Sequence, residues 1–305
     1  ALGKGLDQLA QESNIAEPPD DLVGKTLGNF RIEKRLASGG MGTVYSARRS
    51  DGQYEQQVAI KVVKRGMDSE EVLRRFRAER QTLAALDHPN IACLLEAGQT
   101  ESGRPYVVME LVVGHSLIEH CDRARLGTDA RLLLFLQACE AILHAHQRTV
   151  IHRDIKPSNV LVSGGGTAPT LVKVIDFGIA RFLNTAGGDR SRITAAGQFV
   201  GTPEYMSPEQ LAGSQHSADV RTDVYSLGVL LHELLTGVLP HSRSQVLAAS
   251  VTGSSHALPE PRRPSSRVAE IDLQGATARG SDSYSLSRRL RRDLDWIILK
   301  AIERD

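Results

Sequence analysis

The amino-acid sequence predicts an α+β fold, with most strands before residue 113 and mostly helices after it. Residues 30–36 alternate apolar and polar side chains, the pattern of a half-buried strand. Further runs with strand character lie at 43–47, 58–63, 91–97 and 106–113. Stretches with helical character lie at 69–86, 114–149, 219–237 and 293–305.

The ends of two helices carry local signals. Ser69 is a suitable N-cap for the helix over 69–86, since its hydroxyl can accept a hydrogen bond from a free backbone N–H. Gly237 follows the apolar run 219–236, and glycine is the usual residue just beyond a helix. In the last helix, the periodicity predicts that Trp296 faces the core.

Composition limits the classes of partner and compartment. The chain has 305 residues, of which 41% are hydrophobic, enough for a large core. Its net charge of +1 favours neither nucleic acid nor a strongly acidic partner. Three cysteines (Cys93, Cys121 and Cys139) are few, odd in number and far apart, which favours a reducing, cytoplasmic compartment.

No apolar run approaches the ~20 residues of a membrane helix, so no membrane contact is expected within this chain. The chain starts at Ala1 without Met and ends within a predicted helix. We therefore expect a piece of a longer protein, whose remaining part could hold a membrane anchor. Residues 1–27 are expected to be a flexible leader, because they mix polar and small residues and contain two adjacent prolines.

A polar loop between two apolar runs carries the strongest chemical signal. Residues 151–162 read I-H-R-D-I-K-P-S-N-V-L-V. Asp154 can accept the proton of an attacking hydroxyl, Lys156 can neutralise a phosphoryl group, and Asn159 offers an oxygen to a divalent cation. Phosphoryl transfer needs these roles, because its catalysis is mostly positioning and charge stabilisation.

These residues resemble the catalytic loop of eukaryotic-type protein kinases, and D-F-G follows at 176–178. V-A-I-K at 58–61 and G-T-P-E-Y-M-S-P-E at 201–209 resemble two further signatures of that family. Together with G-G-M-G at 39–42 and the final helix, they make the chain similar to bacterial Hanks-type serine/threonine kinases. The resemblance extends from Gly28 to Asp305.

The resemblance implies a two-lobed protein kinase fold. The small lobe, residues 28–111, would be an antiparallel β-sheet with one helix, and the larger, mainly α-helical lobe would cover 112–305, with ATP in the cleft. Within the large lobe, residues 252–292 are rich in Pro, Arg, Ser and Gly, a composition that favours a mobile insertion.

The resemblance also implies the catalytic roles. Asp154 would orient the substrate hydroxyl and accept its proton, and Lys156 would steady the γ-phosphoryl group. Asn159 and Asp176 would hold Mg²⁺, with Mn²⁺ as an alternative metal. Lys61 would face the α- and β-phosphates.

Lys61 would also form an ion pair with Glu79 on the helix over 69–86, so both belong to the implied catalytic set. The residues implied to surround ATP come from strands of both lobes and from the loops between them. They are Leu36, Ala37, Gly39, Gly42, Val44, Ala59, Lys61, Met109, Glu110, Val112, Asn159, Leu161 and Asp176.

Residues 37–42 (A-S-G-G-M-G) suit an ordinary hairpin as well as a phosphate-covering loop. The family pattern has glycine where this chain has Ala37. Since Gly39 and Gly42 are present, we expect a nucleotide cover that is weaker or less mobile, with binding retained.

The polar stretch 179–200 contains hydroxyl groups between two matched motifs. The resemblance predicts activation by autophosphorylation at Thr194, with Ser191 as the second site, and Arg153 and Arg181 as partners of the phosphate. Thr202 resembles the residue that hydrogen-bonds the catalytic Asp and Lys in serine/threonine kinases. Together with Lys156, it favours serine or threonine as the acceptor.

Four functional classes remain at this stage: an active protein kinase, a pseudokinase scaffold that binds ATP, a small-molecule kinase and a nucleotide-binding regulator. The complete set of transfer residues favours the first. The expected partners are protein substrates with Ser or Thr acceptors, ATP, and a transient second kinase molecule. No nucleic acid is expected.

Overall fold

The computed structural model describes residues 22–39, 42–64, 83, 85–165, 168–177, 202–212, 219–252, 258–270 and 273–304. Most of the helix predicted over 69–86 and all of the loop 179–200 lie outside these residues. Elements are numbered below over the described residues only.

Six antiparallel strands form the sheet of the small lobe, in the order β1-β2-β3-β4-β6-β5. They are β1 (Thr26–Leu27), β2 (Phe30–Gly39), β3 (Gly42–Arg49), β4 (Gln57–Val63), β5 (Leu94–Gln99) and β6 (Pro105–Glu110). Phe30 and Ile32 at the start of β2 are buried, as the alternating pattern predicts, whereas the rest of the strand is exposed. The predicted small lobe is therefore confirmed for its sheet.

Strand β4 lies between β3 and β6, and its residues from Val58 to Val63 are all buried. A strand covered on both faces needs a continuous apolar run, which this strand has apart from Lys61. The Lys61 residue is only 7% exposed. Its charge must therefore be compensated nearby.

The β2–β3 hairpin requires glycine at the first residue of β3, Gly42. Gly39 pairs with Gly42, whose φ is +148°. A Cβ at Gly42 would lie 2.2 Å from the backbone oxygen of Val62 on β4. The hairpin can therefore lie flat against β4 only because residue 42 has no side chain.

A second, three-stranded sheet carries the functional loops. Its strands are β7 (His115–Ser116), β8 (Val160–Gly165) and β9 (Ala168–Val174), with β8 in the middle. The described helices are α1 (Leu117–Arg123), α2 (Thr128–His146), α3 (Pro208–Leu211), α4 (Val220–Thr236), α5 (Arg243–Thr252), α6 (Pro264–Arg267), α7 (Leu273–Ala278), α8 (Ser283–Leu290) and α9 (Asp293–Ala301).

Helix α4 is the centre of the large lobe. The Asp219 side chain caps its first turn, and Gly237 ends it in the left-handed conformation with φ +81°, as predicted. At Gly228 it meets the last helix: a Cβ there would lie 2.7 Å from Ile302 Cγ2 and 2.8 Å from Ala301 Cβ. Glycine thus lets α4 and α9 pack closely.

Helices α6, α7 and α8 fall within residues 252–292, where composition predicts a mobile insertion. Val268, Leu286 and Leu290 of this range are buried in the same core as α4. The polar composition reflects the outer faces of packed helices here, since one buried side chain per turn is enough to anchor a short helix.

One prediction about an apolar face is wrong. Trp296, expected to face the core, is 67% exposed, whereas Asp295 and Ile298 beside it are buried. Leu133 and Leu136 of α2 are apolar and exposed as well. In both helices the buried face is filled by other residues, so these side chains are left on the outside.

No described helix combines the length and apolarity needed to traverse a lipid bilayer. This statement covers only the part of the chain that the structure describes.

We predict that Gly228→Ala destabilises the protein. Alanine favours a helix by about 1 kcal/mol over glycine, but the new methyl group would overlap Ile302 and Ala301, and such overpacking costs roughly 1–3 kcal/mol. The expected result is a lower free energy of unfolding in urea titrations. Val224→Ala, at an exposed position of the same helix, is the control and should change the free energy little. An unchanged or raised stability of Gly228→Ala would contradict the close packing.

Candidate active site

The polar loop lies between the end of α2 and strand β8. Lys156 donates to both carboxylate oxygens of Asp154, at 3.0 and 2.8 Å. The Asn159 amide, in a short 3₁₀ turn, donates to the Asp154 carboxylate at 3.0 Å and to its backbone oxygen at 2.7 Å. The structure therefore brings the three predicted side chains into direct contact.

Asp223, in the first turn of α4, supports this loop from below. Its carboxylate is fully buried and accepts hydrogen bonds from the backbone N–H groups of His152 and Arg153, both at 2.8 Å. His146 Nε2 lies 2.8 Å from the same carboxylate. Asp223 therefore braces the backbone of the loop, and His146 is an additional partner that the sequence did not reveal.

Arg153 is the residue on which this support acts. Its φ of +66° is unfavourable for a residue with a side chain. Asp223 fixes its N–H, and the Gln210 side chain of α3 donates to its backbone oxygen at 2.9 Å. Contacts on both sides hold this strained residue, which sets the direction of Asp154. Gln210 was not predicted to take part.

The loop is joined directly to the D-F-G segment. His152 Nε2 lies 2.9 Å from the backbone oxygen of Ile175, and its ring makes an edge contact with buried Phe177 at 4.7 Å between centroids. The backbone N–H of Ile175 donates to the backbone oxygen of Asn159 at 2.9 Å. Asp154, Asn159 and Asp176 are thereby held in a common frame.

Asp176 and Lys61 meet across the cleft between the two sheets. Lys61 Nζ lies 2.9 Å from Asp176 Oδ2, and both side chains are largely buried. Asp176 also has a left-handed backbone, with φ +66°. The buried charge of Lys61 thus has a partner. Glu79, the predicted partner, lies outside the described residues, so that pair stays a prediction.

Apolar side chains of the small sheet face this ion pair. Ala59 and Met109 are neighbours on β4 and β6, and both are buried in a cluster that includes Val44 and Leu111. Val44, Ala59 and Met109 belong to the set of residues that the resemblance implies around ATP. Leu36 is 45% exposed on β2, as expected at the open edge of a pocket.

At the end of β6, the Glu110 side chain turns toward the second sheet. Lys173 Nζ of β9 lies 2.8 Å from Glu110 Oε2, which also accepts from the Cys93 N–H at 3.3 Å. This second ion pair between the sheets was not predicted. Glu110, Val112 just beyond the strand, and Leu161 on β8 remain predicted ATP contacts.

Asn159 and Asp176 fit the predicted divalent cation. Both hydrogens of the Asn159 amide are taken by Asp154, so its side-chain oxygen is the atom that can coordinate a metal. The other candidate ligand is the carboxylate of Asp176. An amide oxygen and a carboxylate are the hard donors that Mg²⁺ and Mn²⁺ prefer.

The segment that follows residue 201 is anchored to α4. Tyr205 hydrogen-bonds through its hydroxyl to Glu233, and burial raises the pKa of both groups. Glu209 accepts from the Thr222 hydroxyl at 2.6 Å. Thr202 is not among the described contacts of Asp154 or Lys156, so its predicted role has no support in this arrangement. Thr194, Ser191 and Arg181 lie outside the described residues.

Several solved structures and other known proteins are similar to this chain. The kinase domain of PknI from Mycobacterium tuberculosis has 25% sequence identity and a TM-score of 0.59, over 92% of this chain and 97% of that one. The chain is 37% identical to serine/threonine-protein kinase pkn3 of Myxococcus xanthus over 82% of its length. It is 35% identical to serine/threonine-protein kinase PknB of Mycobacterium leprae over 90% of its length.

The chain spans 46% of the length of the first of these curated relatives and 40% of the second. Residues 30–271 match the family model described as the protein kinase domain. This range includes strands β2 to β6 of the small lobe, the loop around Asp154, the D-F-G segment and helix α4. With its two lobes and its match over most of its length, the chain belongs to the protein kinase family.

Proposed function

We propose that this chain is a protein serine/threonine kinase that transfers the γ-phosphoryl group of ATP to hydroxyl groups of proteins. The observation that carries the proposal is the continuous set of contacts joining Lys61 and Asp176 to Asn159, Asp154 and Lys156. A pseudokinase would be expected to lack one of these groups.

Asp154 is the group that handles the substrate proton. In the transfer, the substrate hydroxyl oxygen forms a bond to the γ-phosphorus while the bond to the β-phosphate oxygen breaks, and ADP leaves. The Asp154 carboxylate orients the hydroxyl and takes its proton, which then passes to solvent. Lys156, already 2.8 Å from Asp154, can turn its ammonium toward the oxygens of the transferred group.

Lys61 and Asp176 prepare the nucleotide side. Lys61 supplies a buried positive charge to the α- and β-phosphates, and Asp176 and Asn159 are the proposed ligands for Mg²⁺ or Mn²⁺. Bound metal would offset the negative charge of the phosphates. The Lys61 ammonium and the Asp176 carboxylate are in contact in this arrangement. They must therefore separate slightly to admit phosphate oxygens between them.

The proposal that serine and threonine are the acceptors rests on similarity to known kinases. The named relatives are serine/threonine-protein kinases, and Lys156 follows Asp154 at the spacing of that branch. We propose protein substrates, a reducing cytoplasmic location for this domain, and a transient pair of kinase molecules for phosphorylation of one by the other. Burial raises the pKa of Cys121 and of Cys139 to about 11, which keeps both as unreactive thiols.

We predict that Asp154→Asn loses transfer but keeps ATP. The amide preserves shape and hydrogen bonding but cannot take the proton, so the rate should fall by about 10²–10⁴-fold. The measurement is transfer of labelled phosphate from ATP with Mg²⁺ to a generic basic protein, with ATP binding measured separately. Lys61→Met is the matched variant on the nucleotide side, and it should weaken ATP binding as well as transfer.

If the wild-type chain binds ATP but transfers no phosphate, the result would favour a pseudokinase instead. Full activity of Asp154→Asn would contradict the role of Asp154.

We predict that Asp223→Asn reduces transfer without weakening ATP binding. The new NH₂ group would face a backbone N–H where a carboxylate oxygen now accepts, and an unpaired buried donor costs roughly 1–3 kcal/mol. The strained Arg153 would lose support, and turnover should fall by about tenfold. Asp219→Asn is the control, because asparagine caps a helix as well as aspartate. Equal turnover in both variants would show that Asp223 does not position the loop.

We also predict loop phosphorylation at Thr194 and Ser191. The double variant Thr194→Ala, Ser191→Ala should lose self-activation during incubation with ATP, because no phosphate can pair with Arg153. Mass spectrometry of the incubated wild-type chain should find phosphate at these positions, and Asp154→Asn is the negative control. A double variant that activates as fast as wild type would refute the regulatory role.

A further inference from the structure

We propose that a cavity beside Trp296, between the start of α6 and the start of α9, binds a phosphorylated segment of a partner protein. The cavity has a volume of about 580 Å³ and is lined by residues of α6 and α9 and of the turns before them. It shares no lining residue with the loop around Asp154, and binding there requires no transfer by the chain.

Positive charge converges on this cavity. Arg263, Arg291 and Arg292 all contribute to its lining, and no described carboxylate forms an ion pair with any of the three. The acidic lining residue, Asp295, is buried and already accepts from the N–H and hydroxyl of Ser265, at 2.8 and 2.6 Å. Three like charges facing one space repel each other, so an anion would be favoured there.

Guanidinium groups are suited to a phosphate monoester. Each presents a planar set of donors that can bind two phosphate oxygens at once, and the bonds are strengthened by charge. Ser266 adds a hydroxyl to the same lining. A phosphate with two negative charges would match several guanidinium groups better than a single carboxylate would.

Trp296 supplies an apolar wall next to the charges. Trp296 is 67% exposed and borders this cavity as well as a neighbouring one of about 470 Å³, whose lining is mixed: apolar Pro261 and Leu299 with charged residues of both signs, among them Glu260 and Glu303. A tryptophan at the edge of two adjoining cavities can contact the residues that flank a phosphorylated side chain. This combination of charged and aromatic lining is typical of protein interfaces.

The helices that form the cavity are held in place by packing against the core. Helix α9 packs against α4 at Gly228, and Leu290, at the end of α8, is fully buried. Arg291 and Arg292 follow that anchored leucine directly, so their backbone positions are fixed. Little ordering would therefore be needed on binding.

A peptide is favoured over two other polyanions. A membrane surface needs a protruding patch, whereas these arginines line a recess. Nucleic acid binding depends on broad positive charge, and the chain carries a net charge of only +1. The recess accepts one phosphate group with short flanking segments.

The test uses the fluorescence of Trp296, the only tryptophan in the chain. The probe is a synthetic peptide with one phosphoserine between small residues, and its unphosphorylated form is the reference. Inorganic phosphate, vesicles containing phosphatidylserine and single-stranded RNA are titrated in parallel, and calorimetry repeats the peptide titrations. Saturating ADP is present throughout, so that phosphate groups do not enter the nucleotide site.

We expect the phosphopeptide to change the emission of Trp296 saturably. The unphosphorylated peptide should bind at least tenfold more weakly, because it cannot form the charge-assisted hydrogen bonds between phosphate and guanidinium groups. Arg292→Gly should weaken binding by about tenfold. Glycine suits the φ of +76° at this position, so loss of binding there would not reflect misfolding. Arg291→Gln should act similarly, and Arg288→Gln, an exposed arginine outside the lining, should leave the affinity unchanged.

Asp154→Asn should bind the phosphopeptide as wild type does, which separates this site from the proposed transfer activity. Equal affinity for the two peptides, no binding by calorimetry, or unchanged affinity in Arg291→Gln and Arg292→Gly would overturn the proposal. Preferential binding of the vesicles or the RNA would overturn it in favour of a membrane or nucleic-acid surface.

Discussion

The active-site loop depends on one buried carboxylate. Asp223 is fully buried at the start of the central helix, where an uncompensated charge would be very unfavourable. Two backbone N–H groups and the His146 ring surround it at 2.8 Å. These bonds satisfy the carboxylate only if residues 152 and 153 follow one path, and that path includes the strained Arg153. The burial of one charge thus fixes the direction in which Asp154 points.

The same frame reaches the small lobe through two ion pairs. His152 and Asn159 bind the backbone of Ile175, which places Asp176 beneath Lys61. Lys173, on strand β9 just before Ile175, forms an ion pair with Glu110 at the end of β6. Both pairs join a strand of the small sheet to β9 or the residues after it. Within the described residues, these pairs link the strands that carry the nucleotide surface to the segment that carries Asp176.

Local patterns in the sequence were enough to predict the strands and the central helix with its glycine end, and they placed Asp154, Lys156 and Asn159 on one polar loop. The contacts that these and other side chains make were harder to predict. Lys61 forms an ion pair with Asp176 that the sequence did not reveal, and its predicted pair with Glu79 lies outside the described residues. Gln210, His146 and Lys173 act through contacts across long sequence separations, for which spacing along the chain gives no information.

Periodicity also identifies which residues share a helix face without showing what covers that face. Trp296 lies one turn after Arg292, and the buried positions of α9 are taken by Asp295 and Ile298. The reason is the close approach of α9 to Gly228, which fixes the rotation of the helix. With that rotation, the tryptophan must lie on the outside, next to arginines that the anchored Leu290 holds in place. An exposed aromatic ring beside converging guanidinium groups is therefore a consequence of how α4 and α9 pack.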